Sequence, residues 1–432
     1  MNQFKLGKWI CLGAIACSLS QVAMATPQFV IEKVVTLSRH GVRPQTHTEK
    51  LDKATGLKWP HFYVADGHLT GHGYAGIVQQ ASYQLKQWHQ EGFNLRYSNR
   101  CPRSNQVFLW ASSQQRIKTT AKALADGMFP GCGIVPETGH AKYDPLFELY
   151  HLKQAHPDKQ VIKAQIMARM GSSEQAAKRY ASAVKLIRQT VCAKDSNSCK
   201  FLDKPWKVKF KADGKPTFTG PLSVGATIGE TIRLQYSDNL PIRQVAFGHG
   251  YDANAVRDLM ALHAARYDLA TDTPEFAAHG GSLLMRQILS ALTKGTKLHR
   301  HWLGDKRLSR PLVMFVGHDT NIAEIQTMLG FNWALKDYPA NDIPPGASLN
   351  FTRFHEKGTH KEFVRVRFVA RSLDQWRRLT YLDHQHPLLS ADFAFKGCRH
   401  TAQGELCPLK LFVKDASKML VKDGLNLPVF HQ

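Results

Sequence analysis

The sequence predicts an α/β fold: a mostly parallel sheet flanked by helices, with a mostly helical second domain inserted into it. Two observations carry this expectation. Three well-separated segments repeat one design, an apolar or β-branched run that breaks at an abrupt polar turn and in most cases continues as a helix. Continuous apolar runs of this kind suit strands buried on both faces by helices. Between the second and third junctions the pattern changes to amphipathic helical stretches. At 432 residues the chain can hold two units sharing a substantial core, or one large domain with an insertion. No low-complexity tract or solenoid period interrupts it.

Taken in order, residues 1–25 read as an export leader. Lys5 and Lys8 give the positive start, Trp9 to Val22 the apolar stretch, and Ala23-Met24-Ala25 the small-residue cleavage site, so the mature chain is expected to begin at Thr26. Ala14-Ile15-Ala16-Cys17 loosely resembles a lipid-attachment site, but Ala stands where a larger aliphatic residue is normal, and cleavage is the favoured reading. No later run reaches the roughly 18 uninterrupted apolar residues of a membrane span.

The first junction runs from Phe29 through Val34-Val35-Thr36-Leu37 into Ser38-Arg39-His40-Gly41. The second is Val107 to Ala111, then Ser112-Ser113-Gln114-Gln115-Arg116 and a helix to Gly127. The third is Leu312 to Val316, then Gly317-His318-Asp319-Thr320-Asn321 and a helix to about Leu329. Residues 26–148 and 285–432 are assigned to the α/β domain and 149–284 to the insertion. Within the insertion, helices are expected at Ser173 to Val191, Val224 to Tyr236, Ala253 to Tyr267 and, running past its end, Pro274 to Leu292. Trp206 to Phe210 and Pro216 to Thr219 flank Asp213-Gly214 as a hairpin. Ser348 to Arg353 and Glu362 to Ala370 are expected to pair through Lys357-Gly358. His68 and His72 have helical metal-ligand spacing, but Gly71 and Gly73 suggest a loop there, and they are set aside.

Ligands bind at the carboxyl ends of strands in such sheets. Those ends carry Arg39, His40, Arg43, Arg116, His318 and Asp319. Uncatalysed phosphate monoester hydrolysis is so slow that enzymes supply up to about 10²¹-fold acceleration. A catalyst must gather positive charge, present a nucleophile and protonate the leaving oxygen. Arginine forks match phosphate oxygens and stay charged, and Arg39, Arg43 and Arg116 would supply three. Their field disfavours another cation, so His40 should be neutral, with one ring nitrogen free to attack phosphorus. His318 can donate to a phosphoryl oxygen, and Asp319 can protonate the departing alkoxide if it carries a proton when substrate is bound.

These residues resemble the histidine acid phosphatases, a family that includes bacterial periplasmic phytases and glucose-1-phosphatases. The resemblance spans most of the mature chain: Arg39-His40-Gly41-Val42-Arg43, Gln115-Arg116, Asp144-Pro145-Leu146-Phe147, Gly317-His318-Asp319-Thr320-Asn321 and Pro344-Pro345-Gly346. It implies His40 as the phosphorylated nucleophile, Asp319 as proton donor, and Arg39, Arg43, Arg116 and His318 as the phosphate pocket, with Thr46 touching substrate. It also implies an α/β domain with a largely helical insertion, and neither metal nor cofactor. Two departures stand out. The family's Arg-His-Gly-x-Arg-x-Pro carries its proline one residue early here, as Pro44-Gln45, and the usual Leu-Thr-Pro-x-Gly reads Leu69-Thr70-Gly71-His72-Gly73.

Of eight cysteines, Cys11 and Cys17 leave with the leader. Six in an exported chain favour disulfides. Their order suggests Cys101 with Cys132, Cys192 with Cys199 and Cys398 with Cys407, though spacing alone leaves other connectivities open. Zinc is disfavoured, because no Cys-x-x-Cys or His-Glu-x-x-His occurs. The formal charge is +23, from 57 basic and 34 acidic residues. Such a charge attracts polyanions or simply solvates the surface. The basic residues are scattered without aromatic interleaving, so nucleic acid is not expected as a partner.

The sequence thus points to a monomeric, periplasmic or secreted phosphomonoester hydrolase acting on a small phosphate ester, free of the membrane once its leader is gone. An exported polyanion-binding protein on the same scaffold is the alternative. A phosphoglycerate-mutase-like enzyme shares the Arg-His-Gly logic, but an export signal and paired cysteines count against that cytosolic role. The substrate stays open: the His-Asp segment looks phytase-like, yet Ser112 stands where some phytases carry an acid. Gly220-Pro221-Leu222 and Leu234-Gln235-Tyr236 look closer to the glucose-1-phosphatase branch.

Overall fold

The computed structural model describes residues 28–195, 197–299 and 304–431, so the leader assigned to residues 1–25 lies outside the described residues. One nine-stranded sheet organises the fold. Its strands are β1 (Phe29–Arg39), β2 (Val107–Ala111), β3 (Glu137–Thr138), β4 (Leu312–Gly317), β5 (Ser348–Glu356), β6 (Glu362–Ala370), β7 (Leu389–Asp392), β8 (Arg399–Thr401) and β9 (Gly404–Pro408). The order is β8-β9-β6-β5-β1-β4-β2-β3, with β7 also paired to β6. β1, β4, β2 and β3 run parallel, as the three junctions predict. The remaining pairings, from β1/β5 outward, are antiparallel. β5 and β6 form the expected pair, joined by a turn at Lys357-Gly358.

Register brings the junctions to one edge. Arg39 lies opposite Gly317, and Ala111 opposite Val316. The backbone N–H of His40 donates to the Gly317 carbonyl at 3.2 Å and that of Ser112 to the Val316 carbonyl at 3.1 Å. All residues of β2 and β4 are buried, which is why their sequences are apolar throughout rather than alternating. Helices α1 (Gly71–Gln90) and α2 (Gln115–Met128) pack together, with α2 against β2 and β4. Helices α4 (Pro274–Thr293) and α5 (Asp319–Leu329) form a second pair that packs on β1.

The start of α1 corrects one expectation. Gly71 to Gly73 are the first helical turn, not a loop; Thr70 precedes them and its hydroxyl accepts from the Gly73 N–H at 2.9 Å. A Cβ at residue 73 would stand 2.4 Å from the Val42 carbonyl oxygen. Glycine there lets the helix abut the loop leaving β1. His72 is committed to the Trp376 carbonyl, 2.7 Å from its Nε2.

Between β3 and β4 the described chain is largely helical. The hairpin pairs Lys207–Phe210 with Pro216–Thr219 as expected. The stretch Ser173 to Val191 is two helices, Ser173–Arg179 and Ala181–Val191, divided at Tyr180, whose ring stacks on Trp206. The stretch Ala253 to Tyr267 likewise divides at Met260. Helix α3 (Leu222–Ser237) has every residue from Ile228 to Ser237 buried, so its polar side chains must find partners inside the protein. Cys101–Cys132, Cys192–Cys199 and Cys398–Cys407 are bonded. Among the described residues no helix is long and apolar enough to cross a membrane.

Candidate active site

The strand ends bring six of the seven singled-out side chains together. His40 follows the last residue of β1, only 1 % exposed. Its Nδ1 lies 2.9 Å from the Gly41 carbonyl oxygen. A carbonyl only accepts, so Nδ1 carries the proton. Burial first, then Arg43, Arg116 and Arg39, push the imidazole well below its usual pKa. A neutral ring protonated at Nδ1 leaves a lone pair on Nε2. Arg43 Nε points at that atom from 3.4 Å. The nucleophilic character expected of His40 thus has a physical basis in its surroundings.

Arg39 is wholly buried. Its guanidinium binds Glu230 and the Ile343 carbonyl, and lies 3.1 Å from Asp319 Oδ2. Burial works against its charge, but Glu230 and Asp319 raise its pKa overall. Arg116, on the first turn of α2, is lowered to about 10 by burial and by Arg43, and so remains a cation. His318 directly precedes α5, and its N–H donates to Asn321 Oδ1 at 3.0 Å. Burial, then Arg116, lowers its imidazole to about 3, so it is neutral. The rings of His40 and His318 stand edge to face, 6.3 Å apart. Arg116 Nε and His318 Nε2 are buried without a hydrogen-bond partner among the described residues. The Arg116 Nε–H is a buried donor in that state and fits an anionic ligand, while His318 Nε2 lies 3.8 Å from Glu148 Oε1.

Asp319 is the first residue of α5. Burial would raise its carboxyl pKa, but Arg39 foremost and then His40, His318 and Arg43 hold it well below the usual carboxylate range. The site therefore presents Asp319 as a carboxylate. Thr46 is exposed and lines a cavity with Arg43 rather than the centre of the cluster. Two cavities, of about 330 Å³ and about 260 Å³, open beside the cluster and share Asp319 and Thr320 in their walls.

The Pro44-Gln45 departure has a local use. Arg43 Nη1 donates to the Pro44 carbonyl at 2.9 Å. Gln45 is buried, its side-chain amide donates to Thr48 Oγ1, and its backbone carbonyl accepts from the Gly67 N–H at 3.0 Å. The glutamine thereby ties the loop below His40 to the helix Thr48–Thr55. Ser112, where some phytases were expected to have an acid, is fully buried and hydrogen-bonds Glu148 at 3.2 Å.

Sequence reasoning missed the support behind Arg39. Glu230 on α3 binds Arg39 through one oxygen and Arg233 through the other. Arg233 continues to Asp342 at 2.5 Å, and His263 Nε2 lies 3.6 Å from Glu230. Burial opposes the Glu230 charge, yet Arg233 and Arg39 bring its pKa down to about 2. The only sequence signal was the three-residue spacing of Glu230 and Arg233, which looks like an ordinary surface pair.

The profile of the histidine phosphatase superfamily (branch 2) matches residues 30–369. The chain is 28% identical over 410 residues to the phytase AppA of Escherichia coli, covering 91% of this chain and 93% of that one. It is 29% identical over 426 residues to the glucose-1-phosphatase of Providencia rettgeri, covering 95% and 98%. The crystal structure of Klebsiella sp ASR1 phytase superposes with a TM-score of 0.86 at 34% identity, covering 94% of this chain and all of that one. The junction motifs, the sheet that gathers them and these matches agree: this chain belongs to branch 2 of the histidine phosphatase superfamily.

Proposed function

We propose that the chain is an acid phosphatase that hydrolyses phosphomonoesters, phytate or sugar phosphates, through a phosphohistidine at His40. The observation that carries this is the state of His40, a buried neutral imidazole with its Nε2 lone pair facing the arginine cluster. The phosphoryl group lies among Arg39, Arg43, Arg116 and His318, whose donors match its oxygens, with Thr46 at the rim. Nε2 attacks phosphorus, the P–O ester bond breaks, and the alkoxide takes a proton from Asp319. Water then attacks the phosphorylated imidazole, Asp319 accepts its proton, and the P–N bond breaks to release inorganic phosphate.

A bound phosphate dianion offsets the arginine charges that keep Asp319 ionised, and so raises its proton affinity when the acid is needed. The names of the relatives, phytase and glucose-1-phosphatase, support both substrate classes. The leader at residues 1–25 and the three disulfides support a periplasmic or secreted location. Turnover of p-nitrophenyl phosphate across pH, with and without chelator, tests the reading. An acid-side maximum that survives chelation is expected, and loss of activity to chelator contradicts it.

A further inference from the structure

We propose that Lys215 and Arg266 fix substrate choice by taking non-scissile phosphates on opposite sides of the reacting one, so that the site favours a polyphosphorylated substrate over a monophosphate. This rests on the phosphatase reading above. The two cavities beside His40 share a wall at Asp319 and Thr320. One contains Arg116 and His318, the other Arg43 and Thr46, so a phosphoryl group at His40 borders both. Each cavity also holds one further cation that the cluster around His40 does not use. Lys215 in the first comes from the hairpin Lys207–Phe210/Pro216–Thr219. Arg266 in the second ends the helix Ala261–Arg266.

Neither cation is in an ion pair within 4 Å among the described residues. The Lys215 ammonium lies 5.9 Å from the Tyr150 ring and is depressed chiefly by burial, with Asp213 the acid that most favours its charge. Arg266 is exposed at the cavity. The carboxyls nearby are engaged elsewhere or protonated. Asp213 accepts from the Lys215 backbone N–H at 3.1 Å, Glu148 accepts from Gln114, Ser112 and the Asp144 N–H, and burial lifts Glu324 to about 8, so it is protonated at acid pH. In the second cavity Glu230 is held by Arg39 and Arg233, and Thr227 also lines the wall. A substrate with a single phosphate cannot engage both flanks. One with phosphates on neighbouring carbons can, and each added charge-assisted contact acts on affinity.

Lys215→Gln and Arg266→Gln test this through the ratio of kcat/KM for inositol hexakisphosphate to that for p-nitrophenyl phosphate. Each variant is expected to lower the ratio about ten-fold, mainly through KM, with Lys215→Arg largely restoring it. A ratio unchanged in both variants overturns the inference, and so does an equal fall on both substrates, which would mark a structural role. Should the unaltered chain turn over neither substrate, the phosphatase reading fails and takes this inference with it. Turnover of the aryl ester with an unmoved ratio sinks the inference alone.

Discussion

The Arg39 guanidinium lies 3.1 Å from the Asp319 carboxylate through Nη2, the same nitrogen that Glu230 binds. This contact keeps Asp319 ionised before substrate arrives, which shapes how the site must handle its proton.

Asp319→Asn removes the donor without changing shape. The loss should depend on the leaving group: about 10²–10⁴-fold in kcat for an alkyl phosphate, and much less for p-nitrophenyl phosphate, whose phenolate departs without help. Steady-state kinetics on the two esters decide it, and equal losses would remove Asp319 from leaving-group protonation.

The same contact sets a pH dependence. Because free Asp319 is ionised, the proton enters either with a monoanionic ester or after a dianion has raised the carboxyl. Protonated complexes become scarcer as pH rises, so kcat/KM should fall above about pH 6, where phosphate esters lose their second proton. A profile flat to pH 8 would contradict this.

Glu230→Gln leaves Arg39 and Arg233 buried with one partner fewer. Glu230 has a folded pKa of about 2, below the 4.5 of a free glutamate. Its stabilisation is therefore complete above pH 4.5 and lost as pH falls through about 2. The variant should be destabilised by about 3 kcal/mol at pH 6, with the gap to the unaltered chain narrowing below pH 4.5. Urea unfolding at several pH values measures this, and a gap independent of pH would count against it.

Two glycines in the first turn of α1 should behave oppositely. A Cβ at Gly71 meets nothing within 4 Å, whereas one at Gly73 strikes the Val42 carbonyl at 2.4 Å. Gly71→Ala should be neutral or gain up to about 1 kcal/mol. Gly73→Ala should cost about 1–3 kcal/mol and reduce kcat, since Val42 lies two residues from His40. Thermal unfolding of both variants separates them.

Much of this was legible because it is local. Val34 to Leu37, Val107 to Ala111 and Leu312 to Val316 announce buried strands by composition, and the polar residues just after them fall at one sheet edge once the strands are parallel. What could not be read depends on distant partners. Glu230 lies 191 positions from Arg39, and Asp342 lies 109 from Arg233, so a buried relay passed for a solvated helix pair. The helix start at Gly71 was hidden for the same reason, since the need for a bare Cα at residue 73 appears only with Val42 beside it. Antiparallel strands beyond β5 follow pairings such as Val364 with Cys407 that no local pattern specifies.

The central claim is that His40 Nε2 carries the phosphoryl group. Rapid mixing of the protein with ³²P-labelled p-nitrophenyl phosphate, quenched into alkaline denaturant where a phosphohistidine survives, followed by peptide mapping, tests it most directly. Acid-labile label on the peptide containing His40, absent from a His40→Ala chain that has lost turnover, is the expected result. Label on another residue, or a His40→Ala chain that keeps full turnover, would contradict it.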